Sequence, residues 1–366
     1  MISTLHKIGL SSSVLLSYLV LSLVLFYSSV VADSYSSECM HHSAPAEFNL
    51  TSSQIENYER NGYIIVKGLL QGKELKKAIQ AVNKIQRWQP IGQRILYKFL
   101  PGYRNTLFQT WRNHKALEYI AFDSAASTIS AKLMGLEVEA RKLRLLKDAV
   151  LGYHAGDQGC GWHVDDKVFW PCEDRKFGER DAGINVWIAL SPISAKEGGG
   201  LALAKGSHKV SFAKKAREII AENGARTTCS LGRLDPRLNT KMEKLKVLYD
   251  LEAGDAIFHN RYLFHRVQSF FDEESSRKKK TKQRISLRYV SADDTFYDYV
   301  GTEKRAVEAK GLKTGDVISK GGAWFPQTWP YRLTEEKKKR VKAEKNPLNL
   351  GLGLALLKYR IKKFNK

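Results

Sequence analysis

Three stretches of this 366-residue chain place metal-binding or anion-binding side chains at informative spacings. The first is His163-Val164-Asp165. On an extended segment, residues two apart project to the same side, so the imidazole and the carboxylate can share one ion while Asp166 points away. The second stretch runs from Gly254-Asp255-Ala256-Ile257-Phe258-His259-Asn260 to Leu263-Phe264-His265-Arg266. It reads as a tight turn, a strand and a histidine just beyond it, and either His259 or His265 can complete a set of two imidazoles and one carboxylate. Such a set on one face leaves the other positions of a transition-metal ion open to exogenous groups, which is the donor pattern of non-haem iron(II) sites. The third stretch is Arg284-Ile285-Ser286. Residues 284 and 286 share one side of a strand and can offer a guanidinium and a hydroxyl to a single carboxylate. Lys282 and Arg288 lie on the same side and can substitute, although Arg288 can equally form a structural ion pair.

Helices come first and strands after. Thr51 and Gln54 make a capping-box pattern leading into Ile55 and Tyr58, a helix that ends near Asn61-Gly62. Tyr63 to Val66 then reads as a short strand. Leu75, Ala78, Ile79, Val82 and Ile85 give helical spacing between Lys73 and Arg87, and a further helix is expected over Leu117 to Leu133. From Arg141 the period changes. Short β-rich runs cover Arg141 to Tyr153, Gly183 to Leu190, Gly200 to Ala204, Leu245 to Leu251, Ala256 to His259 and Arg284 to Val290. Short strands joined by turns and long insertions fit an α+β chain with a jelly-roll core, a double-stranded β-helix flanked by N-terminal helices. The loops Lys167 to Asp181 and Phe212 to Asn239 are where substrate specificity is expected. Glu303 to Ala309 and Thr334 to Lys345 are candidate helices of a C-terminal extension, with the boundary at Gly301.

With 43% hydrophobic residues the chain can build a core and is no disordered protein, and its net charge of +22 favours acidic partners. Eleven of the basic residues against three Glu fall between Glu335 and Lys366. That stretch is either a solvated tail or a contact for an anionic membrane surface, and no nucleic-acid fold motif accompanies it. Residues 1–32 read as a targeting segment: Lys7 carries charge, Val14 to Tyr27 is apolar apart from two serines, and Val30-Val31-Ala32 puts small residues at a cleavage position. Cleaved signal peptide and retained membrane anchor both fit, and either implies the secretory pathway, as endoplasmic-reticulum lumenal, secreted or anchored protein. Residues 33–47 then form a linker and 48–300 the catalytic domain. The remaining cysteines, Cys39, Cys160, Cys172 and Cys229, would permit two disulfides there without requiring any. A Cys160–Cys172 bridge and two buried thiols are equally compatible with the spacing.

Over residues 48–300 the sequence resembles the phytanoyl-CoA dioxygenase family. Trp162-His163-Val164-Asp165 is similar to its Trp-His-x-Asp motif. Val186-Trp187-Ile188-Ala189-Leu190, Glu197-Gly198-Gly199 and Gly206-Ser207-His208-Lys209 resemble its central strand and Gly-Ser-His turn. The segment from Gly254-Asp255 to His265 resembles the one ending in the distal metal ligand, which favours His265 over His259. The resemblance implies a catalytic iron(II) site at His163, Asp165 and His265, with 2-oxoglutarate as co-substrate and ascorbate as a supporting reductant. It implies oxidative decarboxylation to succinate and carbon dioxide coupled to hydroxylation of a small-molecule substrate, acidic or lipid-like. Arg284 with Ser286 is expected to hold the co-substrate, and a gap-free alignment puts Lys282 in that role instead. Trp187 is a candidate wall of that pocket, with Trp170 and Tyr153 on the substrate side. Asp165 favours oxygenation, because related iron halogenases carry a small residue at that position. The C-terminus, Phe364-Asn365-Lys366, is no peroxisomal signal. The non-enzymatic alternative is a jelly roll that binds a ligand or a membrane without turnover.

Overall fold

The computed structural model describes residues 48–87, 106–112, 114–154, 161–165, 170–173, 178–223, 231–271, 281–297 and 311–330. Helix α1 (Ser52–Asn61) opens on the capping box: the Gln54 amide donates to the Thr51 hydroxyl at 3.2 Å and the Thr51 amide to the Gln54 side chain at 2.9 Å. Gly62 ends it at φ 82°, where a Cβ would lie 2.5 Å from the His208 ring, so glycine is required both conformationally and sterically. Strand β1 (Tyr63–Val66) follows, then α2 (Gly72–Arg87), which buries Ala78 and Val82, and β2 (Thr106–Phe108). The one helix expected over Leu117 to Leu133 is two, α3 (Lys115–Phe122) and α4 (Ala126–Leu133). The Ser124 hydroxyl donates to the Ile120 carbonyl at 2.6 Å, and the Ser124 amide turns to Tyr119 instead. The helical ladder therefore breaks at that serine.

Strands β3 (Leu143–His154), β4 (Ile184–Ala189) and β5 (Leu201–Ala204) come next. Three helices then fill much of the stretch expected as a specificity loop: α5 (Ser211–Asn223), α6 (Leu231–Leu234) and α7 (Pro236–Lys244). Ala213, Ala216 and Ile220 recur at helical spacing and are buried, and the Asp235 carboxylate caps α7 by accepting the Leu238 amide at 2.9 Å. The segment is thus a packed layer. The strand expected over Leu245 to Leu251 shrinks to β6 (Lys246–Val247), because β5 offers it only Leu203 and Ala204 before the chain crosses to a single bridge between Leu251 and Ile193. Strands β7 (Ala256–Asn260), β8 (His265–Val267) and β9 (Thr281–Ser291) complete the core. A 3₁₀ segment, Ile318–Trp324, leads to β10 (Gln327–Trp329).

All pairings are antiparallel. The larger sheet has the order β1-β7-β4-β9-β3-β10, with β2 also on β3, and the smaller one the order β6-β5-β8. The two curl toward each other as a mixed helix-and-strand jelly roll. Alternation along the larger sheet separates its faces. Ile64, Val186, Ile188, Phe258, Ile285 and Leu287 pack outward on helices α1 to α4, whereas Tyr63, Trp187, Ala189 and Ile257 face inward with Leu201, Leu203 and Leu263. Trp162, Val164 and Phe264 join α5 to α7 on the outer side of the smaller sheet. Residues 311–330, placed by the sequence in the C-terminal extension, contribute Leu312, Ile318, Trp324 and Phe325 to a further cluster with Leu146, Trp170 and Val290. Trp170, expected on the substrate side, is a core residue of that cluster, with the Arg261 guanidinium 5.0 Å above its ring.

Cys172 is buried, and its sulfur accepts from Arg261 Nη1 at 3.4 Å. The other cysteines, the targeting segment, Asp166, the run Arg277 to Lys280 and the helices expected at Glu303 to Ala309 and Thr334 to Lys345 lie outside the described residues. Among the described residues no helix is long and apolar enough to cross a membrane.

The Gly-Ser-His turn braces the barrel from outside. The Ser207 hydroxyl accepts the Phe264 amide at 2.8 Å, and His208 Nε2 lies 3.1 Å from the Glu59 carbonyl. Burial lowers the His208 pKa to about 4. The unfolded chain then binds a proton near pH 6.5 that the folded protein refuses until about pH 4, so stability falls as pH drops through that window. Urea unfolding should give a lower midpoint at pH 5 than at pH 7. His208→Asn, although less stable at pH 7, should show a smaller difference between the two, and an unchanged difference would show that another group carries it.

Candidate metal centre

The segment 161–165 runs beside β8. His163 and His265 exchange backbone hydrogen bonds, N–H to O, of 3.1 and 2.9 Å, so this pair extends the smaller sheet by one bridge. Residues directly opposite each other on antiparallel segments send their side chains to the same face. The two imidazoles therefore meet, with ring centroids 4.5 Å apart. Asp165 follows two positions on, and donor atoms of His163, Asp165 and His265 all lie within 4.8 Å of one another. The intervening Val164 and the preceding Trp162 turn outward into the helical layer.

The histidine hydrogen bonds fix which nitrogen is free. His163 Nδ1 lies 2.7 Å from the Gly161 carbonyl and His265 Nδ1 lies 3.0 Å from the Leu263 carbonyl. A carbonyl only accepts, so Nδ1 carries the proton in both rings and Nε2 presents its lone pair to the centre. Burial, with His265 adding a like charge, lowers the His163 pKa to about 4, so this imidazole is neutral and ready to ligate at pH 7. Asp165 is charged. Burial works against that charge, but the Arg288 guanidinium, with His265 and His163, holds the carboxyl well below its usual range. Arg288 donates from Nε at 2.8 Å and Nη2 at 2.7 Å, both to Oδ2. That leaves Oδ1, 3.7 Å from His265 Nε2, on the side of the histidines. Two imidazoles with Nε2 turned to the centre and one anchored carboxylate fit a divalent transition metal with room for further ligands.

The inner face of the larger sheet lies opposite, its side chains in three successive rows. Register places Tyr63, His259, Asn185, Arg288 and Lys147 side by side across β1, β7, β4, β9 and β3. The next row holds Ile65, Ile257, Trp187, Ser286 and Ala149, and beyond it Arg284 pairs with Ala189 and Leu151. Sequence reasoning missed Asn185 and Lys147. Each is a polar residue inside an apolar run and is 1% exposed, which is the signal that could have found them. Neither end of the Asn185 amide has a hydrogen-bond partner among the described residues.

His259, the rival ligand, stands in the first of these rows. Its ring is 4.8 Å from that of His265 and its Nδ1 lies 3.1 Å from the Asn260 carbonyl. It is near the three-residue cluster without belonging to it. Of the anion-binding candidates, Arg284 is buried with its guanidinium carbon 5.9 Å from the Trp187 ring, and Ser286 is buried opposite Trp187. Lys282 instead donates to the Pro192 carbonyl at 2.6 Å at the half-buried end of β9. Arg288 is committed to Asp165. Tyr153 is buried and stacks on Phe270, with centroids 5.8 Å apart.

With jelly roll and triad in place, comparison with known proteins identifies the class. The family model for phytanoyl-CoA dioxygenase matches residues 58–269, more than half of the chain, and the chain belongs to that family. Among solved structures it is similar to the non-haem α-ketoglutarate-dependent carbocyclase SnoK from nogalamycin biosynthesis, with 19% identity and a TM-score of 0.54 over 76% of this chain and 97% of that one. It is also similar to the epimerase SnoN in complex with Fe3+, α-ketoglutarate and nogalamycin RO, with 16% identity and a TM-score of 0.55 over 75% and 97% of the two chains. A search of curated proteins finds no match.

The choice between the two histidines is testable by metal titration without turnover. His265→Ala should abolish tight binding of Mn2+ or Co2+, and His259→Gln should weaken it by no more than about tenfold, as expected for a neighbour of the ligand shell. The reverse order would make His259 the ligand.

Proposed function

We propose that the chain is an iron(II)- and 2-oxoglutarate-dependent oxygenase that hydroxylates a small-molecule or lipid-like substrate and releases succinate and carbon dioxide. The observation that carries this reading is the His163, Asp165 and His265 cluster, with both Nδ1 atoms tied to backbone carbonyls, inside the jelly roll of a phytanoyl-CoA dioxygenase family member. Bound iron would supply the redox chemistry, activating oxygen with 2-oxoglutarate as the electron donor. The protein supplies placement and charge.

Arg284 is the group proposed to hold the distal carboxylate of 2-oxoglutarate, with Ser286 as a hydroxyl partner on the same face and Trp187, beside Ser286, as a wall of the pocket. Its burial supports this, since a cation away from water gains most from a bound anion, and the half-buried Lys282, tied to Pro192, is a poorer clamp. Ascorbate is assigned the supporting role of keeping the metal reduced. Asp165, anchored by Arg288, would occupy a coordination position of the bound metal, which would favour oxygen over halide insertion.

Purified protein given iron(II), ascorbate, 2-oxoglutarate and a metabolite extract should release succinate and yield a product heavier by one oxygen, with no chlorine incorporated. Arg284→Ala should weaken co-substrate binding roughly thirty- to a thousand-fold, the loss of one charge-assisted bidentate contact, while Lys282→Ala changes it little. Unchanged affinity in Arg284→Ala with loss in Lys282→Ala would move the clamp to Lys282.

Entry into the secretory pathway is proposed from the apolar segment Val14 to Tyr27, with the basic segment after Glu335 as a contact for anionic membrane. A carboxy-terminal fluorescent fusion of the full chain should enter the endoplasmic reticulum and one starting at Asp33 should remain cytosolic. A cytosolic full-length fusion would end this proposal.

A further inference from the structure

The two segments that carry the metal-side histidines are gripped from outside the barrel by one carboxylate. Glu243, in the last turn of α7, accepts the Trp162 indole N–H through Oε1 at 2.8 Å. It also accepts Arg266 Nε through Oε1 at 3.0 Å and Arg266 Nη2 through Oε2 at 3.2 Å. Trp162 immediately precedes His163, and Arg266 immediately follows His265. Since neighbours on an extended segment point to opposite faces, the grip on 162 and 266 acts on the same two backbone stretches whose other face presents the imidazoles. The Arg266 guanidinium carbon lies 5.0 Å from the centre of the Trp162 ring, so the two bonded side chains also stack on each other.

We propose that Glu243 is a positioning residue of the metal centre: by bonding Trp162 and Arg266 together it holds the His163 and His265 strands at the separation a metal ion requires. The inference rests on the metal-site reading above and reaches a residue that the family resemblance does not mark.

The geometry gives reasons for the assignment beyond general stability. Among the described residues the backbone link between the two strands at this point is the one bridge of His163 and His265, which by itself is a weak hinge. A shared carboxylate across the pair resists both spreading and shearing of the strands. The bond set is charge-assisted and uses both oxygens, and opposing desolvation, the Arg266 guanidinium and the Lys246 ammonium keep the Glu243 carboxyl below its usual range. Lys246, 3.1 Å from Oε2, reaches Glu243 from β6 and lies on neither histidine-bearing segment, which makes it a suitable control.

The experiment is titration of the purified protein with Co2+, read by its visible spectrum, beside thermal unfolding of the metal-free protein. Glu243→Ala should weaken Co2+ binding about ten- to a hundredfold and alter the spectrum of the bound ion, the range met when outer partners of metal ligands are lost. Glu243→Gln, which keeps an acceptor for the indole, should recover part of the affinity. Lys246→Ala should bind like the unmodified protein. Leu238→Ala, a core change on the same helix, should lower the melting temperature yet leave Co2+ affinity within about twofold. If Glu243→Ala and Glu243→Gln bind Co2+ like the unmodified protein, or if Leu238→Ala loses as much affinity as they do, Glu243 is merely structural. Should Glu243→Ala not fold, Arg266→Lys, which loses the forked contact but keeps charge, decides by the same comparison. Failure of the underlying reading looks different: the unmodified protein would then bind no Co2+ in a manner sensitive to His163.

Discussion

The backbone bridge between His163 and His265 is the contact on which the site depends. A hundred residues of chain separate these positions, and two hydrogen bonds of 3.1 and 2.9 Å set them opposite each other. Once they are opposite, pleating does the rest: both imidazoles face inward, Asp165 joins them two residues later, and Trp162 and Val164 are sent into the outer core. The helical layer α5 to α7, the Ser207 bond to the Phe264 amide and the Glu243 contacts all act on these two segments from behind.

The larger sheet solves a different problem, which is to keep charge inside a barrel without leaving it uncompensated. Its outward face is an ordinary apolar surface packed on helices. Its inward face carries Arg288, Lys147, Asn185 and His259 in one row and Arg284 two rows away. Arg288 meets the one carboxylate of the triad, which satisfies both groups and leaves the second carboxylate oxygen toward the histidines. A buried ion pair of this kind contributes little to stability but much to orientation. The neutral histidines fit the same logic, since burial among cations disfavours a further positive charge.

The likeness to SnoK and SnoN, at 19% and 16% identity, is a likeness of fold. Two layers close off the sheets of this chain: α5 to α7 on the smaller sheet and the 311–330 segment that adds β10 to β3. Both cover a sheet face or edge that would otherwise be open. Covering an edge is a recurrent way of preventing strands from pairing with another chain.

The sequence by itself determined the local elements whose causes are local. Thr51 and Gln54 set the start of α1, Gly62 its end, and the β-rich runs at 141–153, 183–190 and 284–290 announced strands of the core. The tripeptide 163–165 and the run ending at His265 were legible as ligand candidates because their spacing matches the pleat. What only the tertiary structure decided was which groups meet. That Arg288 grips Asp165, that Lys282 turns to Pro192 while Arg284 stays buried, that Trp170 is core, and that Glu243 joins Trp162 to Arg266 all depend on contacts between residues remote in sequence. The break at Ser124 and the short β6 were equally hidden, because a hydroxyl's choice of acceptor and a partner strand's length are not properties of the segment itself. Spacing along a chain specifies which side chains share a face; only the closed barrel specifies which faces confront one another.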